Sequence, residues 1–197
     1  MLVLFETLAF MLSTILVCLS GDYLVFTFLT GQAPLLKALA DSFVHGSVAF
    51  FSWLIIEKSL INASICTFMA MLVDVDHFIQ AGSWRLEDAI SLNQRPFLHN
   101  STLPLSIYLI IILINLTVMG NCAEIKTGAN IAFVAFFTHH LRDASRRGLW
   151  FEPWVQSLPV SYPMYIFSII LLCIAIKIIF FNGNFVVIKL PMTIKEI

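Results

Sequence analysis

Charge is scarce in this chain. Asp, Glu, Lys and Arg make up only 12% of its 197 residues, about half the share that a soluble domain carries. The formal net charge of −1 supplies no basic field, so nothing points to nucleic acid as a partner. Cysteine is thin as well. Cys18, Cys66, Cys122 and Cys173 lie far apart, mostly in apolar surroundings, and form no Cys-x-x-Cys pair. That argues against a disulfide framework and for small buried hydrophobes. A basic leader is missing too. Met1 to Leu19 carries Glu6 early and has no small-x-small site before Gly21, so it reads as an uncleaved span and not as a secretion signal. The chain also lacks internal repeats and low-complexity tracts.

What fills the chain is apolar. Hydrophobic residues reach 59% and mean hydropathy is +0.92. The expected fold is an all-α, polytopic membrane bundle of five to six transmembrane helices. It forms a single integral membrane domain over residues 1–197, with a motif-bearing core at about 38–150. Crossing a bilayer takes about 20 apolar residues. Segment one, Leu2–Leu19, qualifies, whereas Tyr23–Leu29 is short, bracketed by Gly21, Gly31 and Pro34, and suggests an interfacial piece. Segment two runs from about Leu39 to Ile56 and segment three from Leu60 to about Ile79. The short join Glu57–Ser59 makes these two an antiparallel hairpin. Gln80–Leu103 reads as a polar loop. Segment four, Pro104–Met119, has a proline suited to a first helical turn. Segment five spans about Ala129 to Leu141, and segment six Met164–Phe181, with Lys177 able to snorkel to the interface. The tail from Asn182 is short and mixed.

The histidines are not scattered. All five lie in four polar islands: Asp41-x-x-x-His45, Asp74-Val75-Asp76-His77, Arg95 to Ser101 around His99, and His139-His140-Leu141-Arg142-Asp143. Let X be the side on which segment two begins. Segment three then returns to X with Asp74 to His77. The loop with His99 stays on X, and segment five comes back to X with His139 to Asp143. All four islands land on one membrane face. Arginine and lysine near X (Lys37, Arg85, Arg95, Arg142, Arg146, Arg147) outnumber those opposite (Lys58, Lys126, Lys189, Lys195), which favours X as cytosolic.

Spacing gives the islands a chemistry. Asp41 and His45 share a helix face as i,i+4. Asp74 and His77 do so as i,i+3, and His139 and Asp143 as i,i+4. Asp76 is set to bridge to a second ion or to orient a histidine. Imidazole mixed with carboxylate suits zinc, manganese or iron better than calcium, and the inventory is large enough for two ions. Arg95, Arg142, Arg146 and Arg147 then read as anion contacts. Taken singly, Asp41 reads equally as a helix cap, and Arg142 to Arg147 as a membrane-flanking basic cluster. Taken together, ionisable groups at the ends of membrane spans point to a site. The rival is a hydrogen-bonded cluster that only holds the bundle together. An ion pathway fits less well, because segments two to five carry only small polar groups such as Ser52, Thr67 and Asn115 below the X end.

In order and spacing the islands resemble the YdjM-type membrane-bound metal-dependent hydrolases. More closely, Asp41 to Gly46, Asp76-His77-Phe78, Arg95 to His99, and His139 to Asp143 followed by Arg147-Gly148-Leu149-Trp150 are similar to the animal transmembrane protein 267 group. The resemblance implies a multi-pass membrane protein in contact with membrane lipid. Its metal ligands would be Asp41, His45, Asp74, Asp76, His77, His99, His139 and Asp143, holding a divalent metal such as zinc or manganese. It implies a hydrolase acting at the X face on a phosphate ester or lipid headgroup, with Asp76 bridging or acting as base and Arg95 holding the anion. The alternative is a relative without turnover, whose cluster binds metal or only stabilises the bundle. One departure stands out. Where the bacterial loop begins His-Arg-Gly, this chain has Gln94-Arg95-Pro96, with one imidazole fewer.

Overall fold

The computed structural model describes residues 2–182. Lys189 and Lys195, counted above in the charge balance, lie outside the described residues with the rest of the tail. The fold is an all-α bundle. Four of its helical stretches are long and apolar enough to cross a membrane: Leu4–Phe28, Pro34–Ile56, Leu60–Ala81 and Tyr162–Ile179.

Helix α1, Leu2–Tyr23, continues directly into a π-helical turn, Leu24–Phe28. The stretch from Tyr23 is therefore the end of the first span and not a separate interfacial piece. Gly21 does not break the helix; it lets α1 approach the next helix closely. A β-carbon there would come within 2.6 Å of Val44 Cγ1. Helix α2, Pro34–Ile56, starts on its proline, where the missing N–H costs nothing. It packs against α1 and the later helices, and Trp53 and Ile55 are fully buried in it.

The third span is not one helix. Helix α3 (Leu60–Leu72) is capped by the Ser59 side chain, which accepts from the Asn62 N–H at 3.2 Å. It ends at a turn, and α4 (Val75–Ala81) resumes after Asp74. In the turn the N–H groups of Asp76 and His77 bond back to Val73 and Asp74 at 3.3 and 3.2 Å. This is three-residue spacing in place of four, and it tightens the chain locally. The tightening re-aims Asp74, Asp76 and His77. Gly82, at φ +60°, closes α4 in the left-handed region that glycine tolerates best.

The polar loop after α4 holds a short helix α5 (Leu86–Ile90) and a 3₁₀ turn Phe97–His99. Helix α6 (Thr102–Thr117) is short, and α7 (Ala123–Arg147) is long. At 25 residues α7 extends well beyond the apolar segment expected there. Asn130, Thr138, His139, His140, Arg142 and Asp143 on it are all buried. Its low hydropathy thus reflects an inward polar stripe. A small antiparallel hairpin follows, β1 (Trp150–Phe151) with β2 (Val155–Gln156). Helix α8 (Tyr162–Ile176) then packs on α7 and α2. Lys177 does not snorkel freely. Its Nζ donates to Ile55 O at 2.7 Å and Thr7 Oγ1 at 2.9 Å, capping the carbonyl end of α2.

Candidate metal centre

Histidines and aspartates from α2, α4, the 3₁₀ turn and α7 meet at one end of the bundle. His139 is fully buried, and its Nδ1 donates to Ala70 O at 3.0 Å, which leaves Nε2 as the free ring position. His99 repeats the arrangement with a carboxylate. Its Nδ1 donates to Asp76 Oδ2 at 3.2 Å, again leaving Nε2. The two Nε2 atoms face each other at 3.3 Å, within hydrogen-bond distance. Asp74 Oδ1 is 3.5 Å from each of them. Asp143 Oδ2 is 3.6 Å from His99 Nε2 and 3.8 Å from His139 Nε2.

These lengths test whether a metal fits. Ligands at 2.0–2.2 Å around a tetrahedral ion stand roughly 3.3–3.6 Å apart. The two imidazole nitrogens with Asp74 form a triangle of that size, and with Asp143 a slightly wider one; both rings are held from behind as metal-ligating imidazoles are. Three groups of potential ligands are close enough to hold an ion: His45, Asp74 and His139; Asp74, His77 and His99; His99, His139 and Asp143. The first two share only Asp74. A carboxylate can bridge two ions, whereas an imidazole whose Nδ1 is already engaged, as in His99 and His139, cannot. His45 stacks on His139, with ring centroids 3.7 Å apart, and its Nε2 lies 3.5 Å from Asp143 Oδ1. His45 Nδ1 is buried without a hydrogen-bond partner.

Asp76 lies behind the imidazoles. It is fully buried, and one oxygen accepts both the Leu98 N–H at 2.8 Å and His99 Nδ1. Its other oxygen is 3.1 Å from His77 Nδ1. Of the expectations for Asp76, bridging an ion, orienting a histidine or acting as base, the contacts seen are those of a group that orients a histidine. Asp76 is not among the residues that line the neighbouring cavity. Asp41 also departs from the expected set. It pairs with Arg142 Nη1 at 2.7 Å and with Arg146 and belongs to none of the three groups. The buried Arg142 in turn donates through Nε to Asp22 at 2.8 Å, and Asp22 accepts from the Tyr165 hydroxyl. Arg142 is therefore an internal tie across α1, α2 and α7 and not an anion contact.

His140 completes the scaffold. Its Nε2 donates to Leu98 O at 2.8 Å, and Nδ1 accepts from the Ser101 hydroxyl at 3.1 Å. Both nitrogens are spent on the loop that carries His99. The same loop is clasped from the other side. The Ser101 N–H bonds Trp150 O at 2.7 Å, and Arg95 Nη2 bonds Gly148 O at 3.1 Å. Gly148 is required there. It sits at φ +72°, and a β-carbon would collide with Ser157 O.

Burial opposes protonation of His99. Its hydrogen bonds to Asp74 and Asp76 and the nearby charge of Asp143 outweigh that and raise its pKa to about 9. Beside the cluster opens a cavity of about 560 Å³, lined among others by Asp74, His77, Asp143, Lys37, Arg95 and Arg147. Arg95 Nε and Nη1 are buried there without a hydrogen-bond partner. Gln94 is exposed on the cavity wall, and the triangles above form without it.

A multi-pass helical membrane protein with a buried histidine–aspartate cluster at one end of its bundle is the class these features define. Neither a protein-family model nor, at significance, a solved structure matches the chain. Transmembrane protein 267 of Mus musculus is 30% identical over 157 residues, covering 77% of this chain and 72% of that protein. Its namesake in Bos taurus is 30% identical over 172 residues, covering 82% and 77%. That of Danio rerio is 32% identical over 139 residues, covering 66% and 61%. The chain belongs to the transmembrane protein 267 family.

Proposed function

We propose that the protein is a metal-dependent hydrolase of the membrane interface, acting on a phosphate ester or lipid headgroup. In this reading α6 and α7 complete the bundle to six spans. The observation that carries the proposal is the pair of Nε2 atoms 3.3 Å apart, each ring held from behind and each Nε2 3.5 Å from Asp74. His99 and His139 with Asp74 or Asp143 would hold a divalent ion, zinc or manganese. A second ion would be held only if Asp74 bridges and His45 and His77 contribute. When bound, such an ion supplies Lewis acidity and acidifies water.

The chain's own residues do the rest. Asp76 keeps a proton of His99 on Nδ1 and so keeps Nε2 turned to His139 and Asp74. His140 and Ser101 hold the loop that carries His99. Arg95, which lines the cavity, offers its positive charge to an anion there. Asp41 and Arg142 serve the frame and not the reaction.

The test is to titrate zinc and manganese into detergent-purified wild type, His139→Ala and Gln94→His, counting bound metal and following phosphate release from mixed phospholipids and soluble phosphodiesters. Metal binding lost in His139→Ala, with turnover by the wild type, is the expected result. Metal without turnover, and activity gained in Gln94→His, would make the protein a binding relative that has lost its chemistry. No metal in the wild type refutes the reading and leaves a polar cluster that holds the bundle together.

A further inference from the structure

We infer that the cavity beside the cluster takes the phosphate of a membrane lipid, which enters sideways from the bilayer between the start of α2 and the α5 segment. This rests on the hydrolase reading above and chooses between its two substrate sources. The cavity, about 560 Å³, has the size that encloses a small-molecule group. Its inner end is made by Asp74, His77 and Asp143, so whatever fills it touches the cluster.

The two walls differ. One carries the cations Lys37, Arg95, Arg146 and Arg147, with the carboxylates of Asp41, Asp74 and Asp143 also in the lining. Arg146 is paired with Asp41 and Asp143, whereas Arg95 is held through Nη2 by Gly148 O and has no carboxylate in ion-pair contact among the described residues. Its guanidinium charge at the lining favours an anionic phosphate. The other wall is apolar, with Pro34, Ala38, Phe78, Leu86, Ile90 and Leu92. The sugar of a soluble ester would leave that wall unmatched, whereas the esterified glycerol and first methylenes of a lipid match it.

The mouth points to the membrane as the source. The cavity lining draws on the first turns of α2 and on the segment after α4, at the ends of spans, where headgroups lie. Ile90 lines the cavity and is also 58% exposed, and Leu35 and Leu36 beside the mouth are 59% and 51% exposed. The apolar wall therefore runs out of the cavity onto the outer surface of the bundle. An acyl chain can follow it while the phosphate stays at Arg95.

The experiment uses the full chain purified in detergent. Its melting shift is measured on adding phosphatidic acid in mixed micelles, and separately on adding glycerol 3-phosphate or inorganic phosphate. Bound metal is counted in the same samples. Wild type should be stabilised by phosphatidic acid and not by the soluble anions at equal concentration. Arg95→Gln should weaken lipid binding about ten- to a hundredfold, as expected for losing charged hydrogen bonds. Ile90→Glu, at an exposed position that leaves folding intact, should weaken it about tenfold. Equal stabilisation by glycerol 3-phosphate, insensitive to Ile90→Glu, would make the source soluble and overturn the inference. Lipid binding unchanged in both variants would overturn it too. If the protein holds metal but binds no phosphate of either kind, this inference fails while the metal reading stands. Absent metal would instead sink the reading on which it rests.

Discussion

Replacing Asp76 by asparagine removes one charge and almost no volume. In the native protein a single Asp76 oxygen accepts both the Leu98 N–H and His99 Nδ1, at 2.8 and 3.2 Å. Asparagine can keep its carbonyl oxygen there, so the loop stays folded. What is lost is the negative charge that fixes the proton on Nδ1 and strengthens Nε2 as a donor. Losing such a partner behind a metal-ligating histidine typically costs about 10–100-fold in metal affinity, or about 1.4–2.8 kcal/mol. Asp76→Ala goes further. It leaves the Leu98 N–H unpaired in the interior, which costs about 1–3 kcal/mol of folding stability. Zinc titration against a competing chelator, with melting curves on the metal-free samples, separates the two effects. Asp76→Asn should bind zinc weakly with a near-native melting point, and Asp76→Ala should melt lower as well. Native zinc affinity in Asp76→Asn would refute the assignment of Asp76 as the group that positions His99.

Three further outcomes follow from the same geometry. His99 holds a proton up to about pH 9 in the metal-free protein, and metal binds only after that proton leaves. Affinity should therefore rise with pH up to about 9 and level off above it, and calorimetry in two buffers of different ionisation heat should find proton release near one per chain at pH 7; none released would refute it. Arg142→Met should strand Asp22 and Asp41, and removing one partner of a buried ion pair costs about 3–5 kcal/mol. A variant that melts like wild type would show that the tie is dispensable. A glycosylation tag between Gly82 and Asp88 should stay unmodified if the face with the cluster is cytosolic, and a glycan there would invert the orientation.

Three of the four islands were legible because each holds an i,i+3 or i,i+4 pair at the end of an apolar run, and strict alternation then sends them, with the His99 loop, to one face. The helical character was legible from composition alone. The Arg142 network was not. Asp22 is a single acid at the end of an apolar span, and its partner on α7 is 120 residues away, so no local spacing connects them. Without Asp22, Arg142 read as an anion contact and Asp41 as a ligand. The break at Val73-Asp74 was hidden as well, since neither glycine nor proline marks it. That break is what lets Asp76 turn behind His99 while Asp74 faces the cavity. His140 showed the converse limit. Its spacing to Asp143 matches that of a ligand, but its two nitrogens are spent on Leu98 and Ser101.

The distance between Asp22 and Arg142 has a consequence for how the protein is made. The acid is synthesised first, and its guanidinium follows 120 residues later. At about 5–20 residues per second that is a delay of roughly 6–24 s. Throughout it, α1 has a carboxylate at its inner end and no counter-charge. The first helix can pack on α2 at once, but the tie from Asp22 to Arg142 forms only when α7 arrives, and the carboxylate must meanwhile find another polar partner. Insertion of this chain is in that sense a reversible draft, made permanent by the helix that also brings His139, His140 and Asp143.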